Sequence, residues 1–113
     1  MEVPRITVDE LKAMMDSGET ITILDVRQPG AYATSNKKIN GAVYLDPNND
    51  AAIKEFAKGL DKNSTIVAYC TSKEEHSSAR VAGILIEEGF AKVSALKGGW
   101  AEWRKAEYPL EMK

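Results

Sequence analysis

Apolar and polar positions follow two rhythms along this chain, and the rhythms take turns. Leu11, Met14 and Met15 stand at helical spacing behind Thr7-Val8-Asp9-Glu10, a capping box with Thr7 at N-cap and Glu10 at N3, and Gly18 marks the stop. Thr20–Val26 is β-branched and too short for a long helix, so it reads as a strand. Pro29-Gly30 punctuates the chain, with a short helical turn expected over Ala31–Ala33. Gly41–Leu45 is a weaker strand, ended by Asp46-Pro47-Asn48-Asn49.

The second half repeats the alternation. Asp50 is expected to cap a helix running through Lys58, with Ile53, Phe56 and Ala57 on one face and Gly59 at its end. Ser64–Tyr69 is an apolar strand with Cys70 at its carboxyl end. Ser77 or Ser78 offers an N-cap for a helix carrying Ala79, Val81, Ala82, Ile84, Leu85 and Ile86, closed by Gly89. Lys92–Leu96 is a short strand, and Trp100–Ala106 a last helix before Pro109. Strands alternating with helices predict an α/β fold, a parallel sheet covered on both faces.

Composition narrows the function. The 113 residues suit one domain, and 43% hydrophobic with 28% charged residues is an ordinary globular mixture. Fifteen Lys and Arg against 17 Asp and Glu give a net charge of −2, with no basic run of the kind that binds phosphate backbones, so nucleic acid is not an expected partner. Apolar stretches such as Val81–Ile86 fall far short of the roughly 20 residues that cross a bilayer, so no membrane partner is expected. The acidic, amphipathic start lacks the basic region and apolar run of a secretory signal. One Cys excludes an internal disulfide, and one Cys with one His argues against structural zinc. These features point to a reducing, cytoplasmic setting.

Cys70 holds the candidate chemistry. Ligands of open α/β sheets bind beyond the carboxyl ends of the strands, where Cys70 lies, followed by seven polar residues (Thr71–Ser77) and a helix start. Free N–H groups and the helix dipole favour an anion there, and so a nucleophilic thiolate open to reactants. Lys73 and Arg80 add positive charge; Glu74 and Glu75 oppose it. From position alone, a buried Cys serving as a small hydrophobe is an equal reading.

Further segments bear on that choice. Leu24-Asp25-Val26-Arg27, Tyr32 and Ile39-Asn40-Gly41-Ala42 resemble the first signature of the rhodanese-like family. Val67–Cys70 resembles its active-site strand, and Glu87–Phe90 with Val93–Trp100 and Trp103 its C-terminal signature. The pieces lie in family order from Pro4 to Leu110. The resemblance implies that residues 1–113 form a single rhodanese-like domain, with a central, mostly parallel five-stranded sheet flanked by helices on both faces. It also implies sulfur transfer: a thiolate takes the outer sulfur of thiosulfate or a persulfide, then hands it to a thiol or cyanide-like acceptor. Cys70 would be the catalytic nucleophile, and Thr71, Ser72, Lys73, Glu74, Glu75, His76 and Ser77 the active-site loop and anion cradle. No metal or organic cofactor is implied, because sulfur itself forms the covalent intermediate.

The chain departs from the family pattern at two places. Six residues separate Cys70 from Ser77-Ser78 where four are common, and the loop carries Glu74-Glu75 where an anionic donor approaches. Carboxylate repulsion there argues for a protein persulfide or a larger donor over thiosulfate. Lys38 stands where a histidine is usual, which implies altered local packing.

The remaining candidates are weighed individually. Asp25 and Arg27 are expected to form a structural ion pair at the strand end, with Arg27 a candidate for electrostatic support. His76 has the pKa range of a proton shuttle, but a solvated role is the simpler expectation. Lys73 pairs naturally with its acidic neighbours, and Arg80, set against the dipole of its helix, needs an acidic partner if it does not bind an anion. Trp100 and Trp103 share a helical face and are expected in the core, with one edge available to a pocket. Gly98-Gly99 reads as a tight turn. Three functions therefore compete: a sulfurtransferase, a cysteine phosphatase or arsenate reductase, and a non-catalytic or regulatory binding module. The residue six after Cys70 is His76, not the Arg that clamps a tetrahedral oxyanion, which argues against the second.

Overall fold

Thr7 opens the first helix through both halves of its capping box: its hydroxyl accepts from the Glu10 amide at 3.0 Å, and the Glu10 carboxylate accepts from the Thr7 amide at 2.8 Å. The computed structural model describes residues 3–71 and 76–113. In chain order the elements are β1 (Arg5–Ile6), α1 (Val8–Asp16), β2 (Ile21–Asp25), α2 (Pro29–Thr34), β3 (Lys37–Ile39) and β4 (Val43–Tyr44). They continue with α3 (Asp50–Lys58), β5 (Thr65–Tyr69), α4 (His76–Glu87), β6 (Lys92–Leu96), α5 (Gly99–Lys105) and β7 (Leu110–Met112).

The main sheet is five-stranded, ordered β1-β6-β5-β2-β4, and every neighbouring pair is parallel. The period-2 pleat of the two central strands sorts their side chains into two cores. Leu24, Val26, Ile66, Ala68 and Cys70 face α3 and α4, where they meet Ile53, Ala57, Val81, Ala82 and Leu85. Ile23, Val67 and Tyr69 face the other way, toward Val8 and Leu11 of α1 and Trp100 and Trp103 of α5. Both faces are apolar because both are covered, as a sheet of parallel strands requires. The expected single α/β architecture is therefore the one formed.

Several local expectations need correcting. Asn49, not Asp50, caps α3: its side chain accepts from the Ala52 amide at 2.9 Å, and Asp50 becomes the acidic first residue of the helix. The helix expected to begin after a Ser77 or Ser78 cap starts at His76, which puts both serines inside its first turn. The last helix begins at Gly99, with Gly98 left-handed (φ 80°) at its N-cap, and ends at Lys105. The strand expected over Gly41–Leu45 contracts to Val43–Tyr44. Strands β1, β3 and β7 were not foreseen. The last two pair antiparallel, Lys37 opposite Met112 and Ile39 opposite Leu110, as a separate two-stranded sheet beside the main one.

Candidate active site

Strand β5 delivers two consecutive side chains to opposite faces at its carboxyl end. Cys70 lies on the α3/α4 side, only 6% exposed, within the cluster of Leu24, Val26, Ala68 and Val81. Its Sγ is 3.5 Å from the Ser78 hydroxyl in the first turn of α4. The position between a central strand end and a helix start is the expected one; the openness expected of the thiol is not. Parallel strands bury both faces, so a side chain leaving either face enters a core.

Tyr69 lies on the other face and anchors a buried polar network. Asp25 sits opposite it in register on β2. The phenol donates to Asp25 Oδ2 at 2.8 Å and accepts from the Ile39 amide at 3.2 Å. Arg27, 1% exposed, closes a fork on the same carboxylate, with Nε 3.0 Å from Oδ1 and Nη2 2.6 Å from Oδ2. The Arg27 amide also donates to Oδ1 at 3.1 Å, and Nη2 donates to the Lys37 carbonyl at 3.0 Å. The guanidinium centre rests 4.3 Å from the Trp100 ring centroid. Burial pushes the Tyr69 phenol well above its usual pKa, and the Asp25 carboxylate adds to the rise, so the phenol stays a donor. This is the expected Asp25–Arg27 ion pair, joined by Tyr69, which local spacing does not single out.

The flanking segments are tied to the same end of the sheet. The Trp100 amide donates to the Cys70 carbonyl at 2.8 Å, and the Ala101 amide to the Thr71 carbonyl at 3.2 Å. Gln28 ties the first turn of α4 to the loop before α3: its Nε2 donates to the Ser77 hydroxyl at 2.9 Å, and its Oε1 accepts from Asn48 Nδ2 at 2.8 Å. His76 is exposed at the first position of α4. Arg80 has its acidic partner, donating to the Asp50 carboxylate and the Pro47 carbonyl, so its guanidinium is engaged at the start of α3. Ser72, Lys73, Glu74 and Glu75 lie outside the described residues. Lys38, in the place of the usual histidine, donates to the Ala42 carbonyl at 2.6 Å.

On the α5 side of the same sheet edge lies a cleft of about 550 Å³, walled by Arg27, Lys37, Thr71, Trp100, Arg104 and Leu110 among others. Among the described residues no cluster of three or more His, Cys, Asp or Glu side chains is placed to hold a metal ion. No helix among them is long and apolar enough to cross a membrane.

Residues 7–106 match the model of the rhodanese-like domain. The chain belongs to the rhodanese-like family. A curated relative from Pseudomonas fluorescens (strain Pf-5), named thiosulfate sulfurtransferase GlpE, is 31% identical over 97% of this chain and 92% of its own. The protein of the same name from Stutzerimonas stutzeri is 30% identical over 96% of this chain and 91% of its own. Among solved structures, the rhodanese-like domain of an Anabaena protein superposes with a TM-score of 0.78 at 32% identity, covering all of this chain and 81% of that one. A Bacillus halodurans protein superposes at 0.81 with 26% identity, covering 97% of this chain and 77% of that one.

Proposed function

We propose that this protein is a sulfurtransferase that carries sulfane sulfur on Cys70. One observation supports this above the others: in a rhodanese-family chain, the only thiol stands at the end of a central strand with its sulfur 3.5 Å from a hydroxyl in the first turn of the next helix. The thiolate attacks the outer sulfur of the donor, thiosulfate or a persulfide. A new S–S bond forms, the donor's S–S bond breaks, and sulfite or the donor thiolate departs with the electron pair. The acceptor, a thiol or cyanide-like nucleophile, then attacks the outer sulfur and releases Cys70 as thiolate, with no net redox change. In the thiolate form the Ser78 contact reverses, the hydroxyl donating to sulfur.

The burial of Cys70 bears on this reading in two ways. It keeps a bound outer sulfur away from water and competing thiols. It also favours, as a second reading, a regulatory module that binds a partner or exchanges sulfur slowly. The name shared by the curated relatives supports thiosulfate as a donor, whereas Glu74 and Glu75 weigh toward a persulfide. A phosphatase role gains nothing from the geometry, since the Arg80 guanidinium is bound to Asp50 and Pro47. A lone cysteine kept as a thiol suits a cytoplasmic setting.

Thiocyanate formation from thiosulfate and cyanide is the direct assay. Turnover that disappears in Cys70→Ser supports the proposal. Turnover that survives the substitution contradicts it, and silence of the wild-type protein with both thiosulfate and a protein persulfide favours the binding module.

A further inference from the structure

Gln28 stands at the N-cap position of α2 but gives its side chain to no amide of its own helix. The two ends of its amide reach instead to partners 49 and 20 residues away: Nε2 donates to Ser77 Oγ in the first turn of α4, and Oε1 accepts from Asn48 Nδ2 in the loop before α3. Holding a long, exposed side chain at both ends costs rotamer entropy, and α2, which buries no residue, gains no packing from it. The beneficiary lies elsewhere.

The bridge ends beside the candidate sulfur carrier. Ser77 adjoins Ser78, whose fully buried side chain places its hydroxyl 3.5 Å from Cys70 Sγ. Further along the same turn, Arg80 donates to the Pro47 carbonyl and the Asp50 carboxylate. Ser78 therefore sits between two ties that fasten the start of α4 to the loop before α3 and to the first residue of that helix. Gln28 adds a third anchor, the end of β2, because it directly follows Arg27 of the buried fork on Asp25. Its amide does so without bringing a net charge near the sulfur. Position matters at this point, since a misplacement of about 1 Å in a reacting geometry can cost about a hundredfold in rate.

We propose that Gln28 is a positioning residue for the chemistry of Cys70: by pinning Ser77 to Asn48 and to the end of β2, its side chain holds the Ser78 hydroxyl on the sulfur. The effect on sulfur uptake rests on the sulfurtransferase reading, whereas the effect on the hydrogen bond of the thiol does not.

Two measurements keep these apart. The single thiol of the chain gives one S–H stretching band in the infrared, which reads its hydrogen bond without any sulfur donor. In the reduced protein the S–H donates to Ser78 Oγ, so Ser78→Ala is expected to move the band to higher frequency. Gln28→Met keeps the length of the side chain, removes both of its hydrogen bonds, and is expected to move the band in the same direction. Gln28→Glu, whose carboxylate accepts from both the Ser77 hydroxyl and the Asn48 amide, is expected to keep the wild-type band. A Gln28→Met band that coincides with that of the wild type, or a Gln28→Glu band that coincides with that of Gln28→Met, overturns the proposal. This comparison stands on its own, at an exposed position whose exchange does not threaten folding.

The second measurement follows sulfur uptake from thiosulfate. Gln28→Met is expected to slow the rate at saturating donor about tenfold with the half-saturating concentration unchanged, and to add no further slowing in a Ser78→Ala background. Equal slowing in both backgrounds overturns the action through Ser78. Absence of uptake by the wild type contradicts the sulfurtransferase reading alone, since the infrared comparison still tests Gln28. Uptake with an unmoved band in Gln28→Met contradicts the positioning role alone.

Discussion

The amide of Trp100 donates to the carbonyl of Cys70 at 2.8 Å, so the start of α5 is hydrogen-bonded to the candidate carrier's own backbone. The next amide repeats the bond to Thr71 at 3.2 Å. Two of the free N–H groups of a helix start are thereby spent on fixing where β5 ends, rather than left to solvent. The turn that makes this possible is Gly98, left-handed at φ 80°, and a Cβ there would stand 2.6 Å from Glu102 Cβ.

Gly98→Ala therefore combines a left-handed backbone with a steric clash. We expect a loss of about 1–3 kcal/mol in urea denaturation, the cost of a strained non-glycine residue, together with slower sulfur uptake as the Cys70 backbone shifts. Gly30→Ala, where nothing lies within 4 Å and φ is not left-handed, stays within about 0.5 kcal/mol of the wild type. Equal stability of both variants would show that the Gly98 turn is not constrained.

The Asp25–Arg27 fork is fully buried, so removing one partner leaves the other charged and uncompensated. Asp25→Asn is expected to cost about 3–5 kcal/mol, measured by chemical denaturation. The double variant Asp25→Asn/Arg27→Met should be less destabilised than the sum of the single changes, because no buried charge remains. Strict additivity would mean that the two side chains stabilise the fold independently.

Alkaline pH tests the Tyr69 network. Burial, then the Asp25 carboxylate, raises the phenol above its ordinary value of 10.0 in the folded protein. The unfolded chain therefore loses this proton first, and the folded state binds more protons above about pH 10. Stability is intact below that pH and falls as pH rises beyond it, at up to about 1.4 kcal/mol per unit for this group alone. Tyr69→Phe removes that share of the slope and, at neutral pH, destabilises the protein by leaving Asp25 and the Ile39 amide short of a partner. An unchanged slope between pH 10 and 11 in Tyr69→Phe would assign the alkaline loss to other groups.

What was legible in the sequence follows from how local each cause is. The α1 capping box, the β2, β5 and β6 runs and the placement of Cys70 at a strand end all depend on residues a few positions apart. Asn49 and Asp50 are adjacent and both able to cap, and only the register of α3 decides between them. The β3–β7 pair joins Lys37 to Met112, and strands of three residues carry too little alternation to be read without the partner. The same holds at the site. The Asp25–Arg27 pair was foreseeable from spacing, but Tyr69 joins it only through the β2–β5 register, and the amide bonds of Trp100 and Ala101 come from α5 packing against the sheet end. The position of Cys70 left an open thiolate and a buried thiol as equal readings, because a run apolar on both faces does not announce which cover each residue meets; the structure has it buried.

The central claim is that Cys70 carries sulfur, and intact-mass spectrometry of the reduced protein after incubation with thiosulfate or a protein persulfide tests it most directly. The account predicts a gain of one sulfur atom, removed by cyanide and absent from Cys70→Ser. No gain from either donor, or a gain that persists in Cys70→Ser, would contradict it.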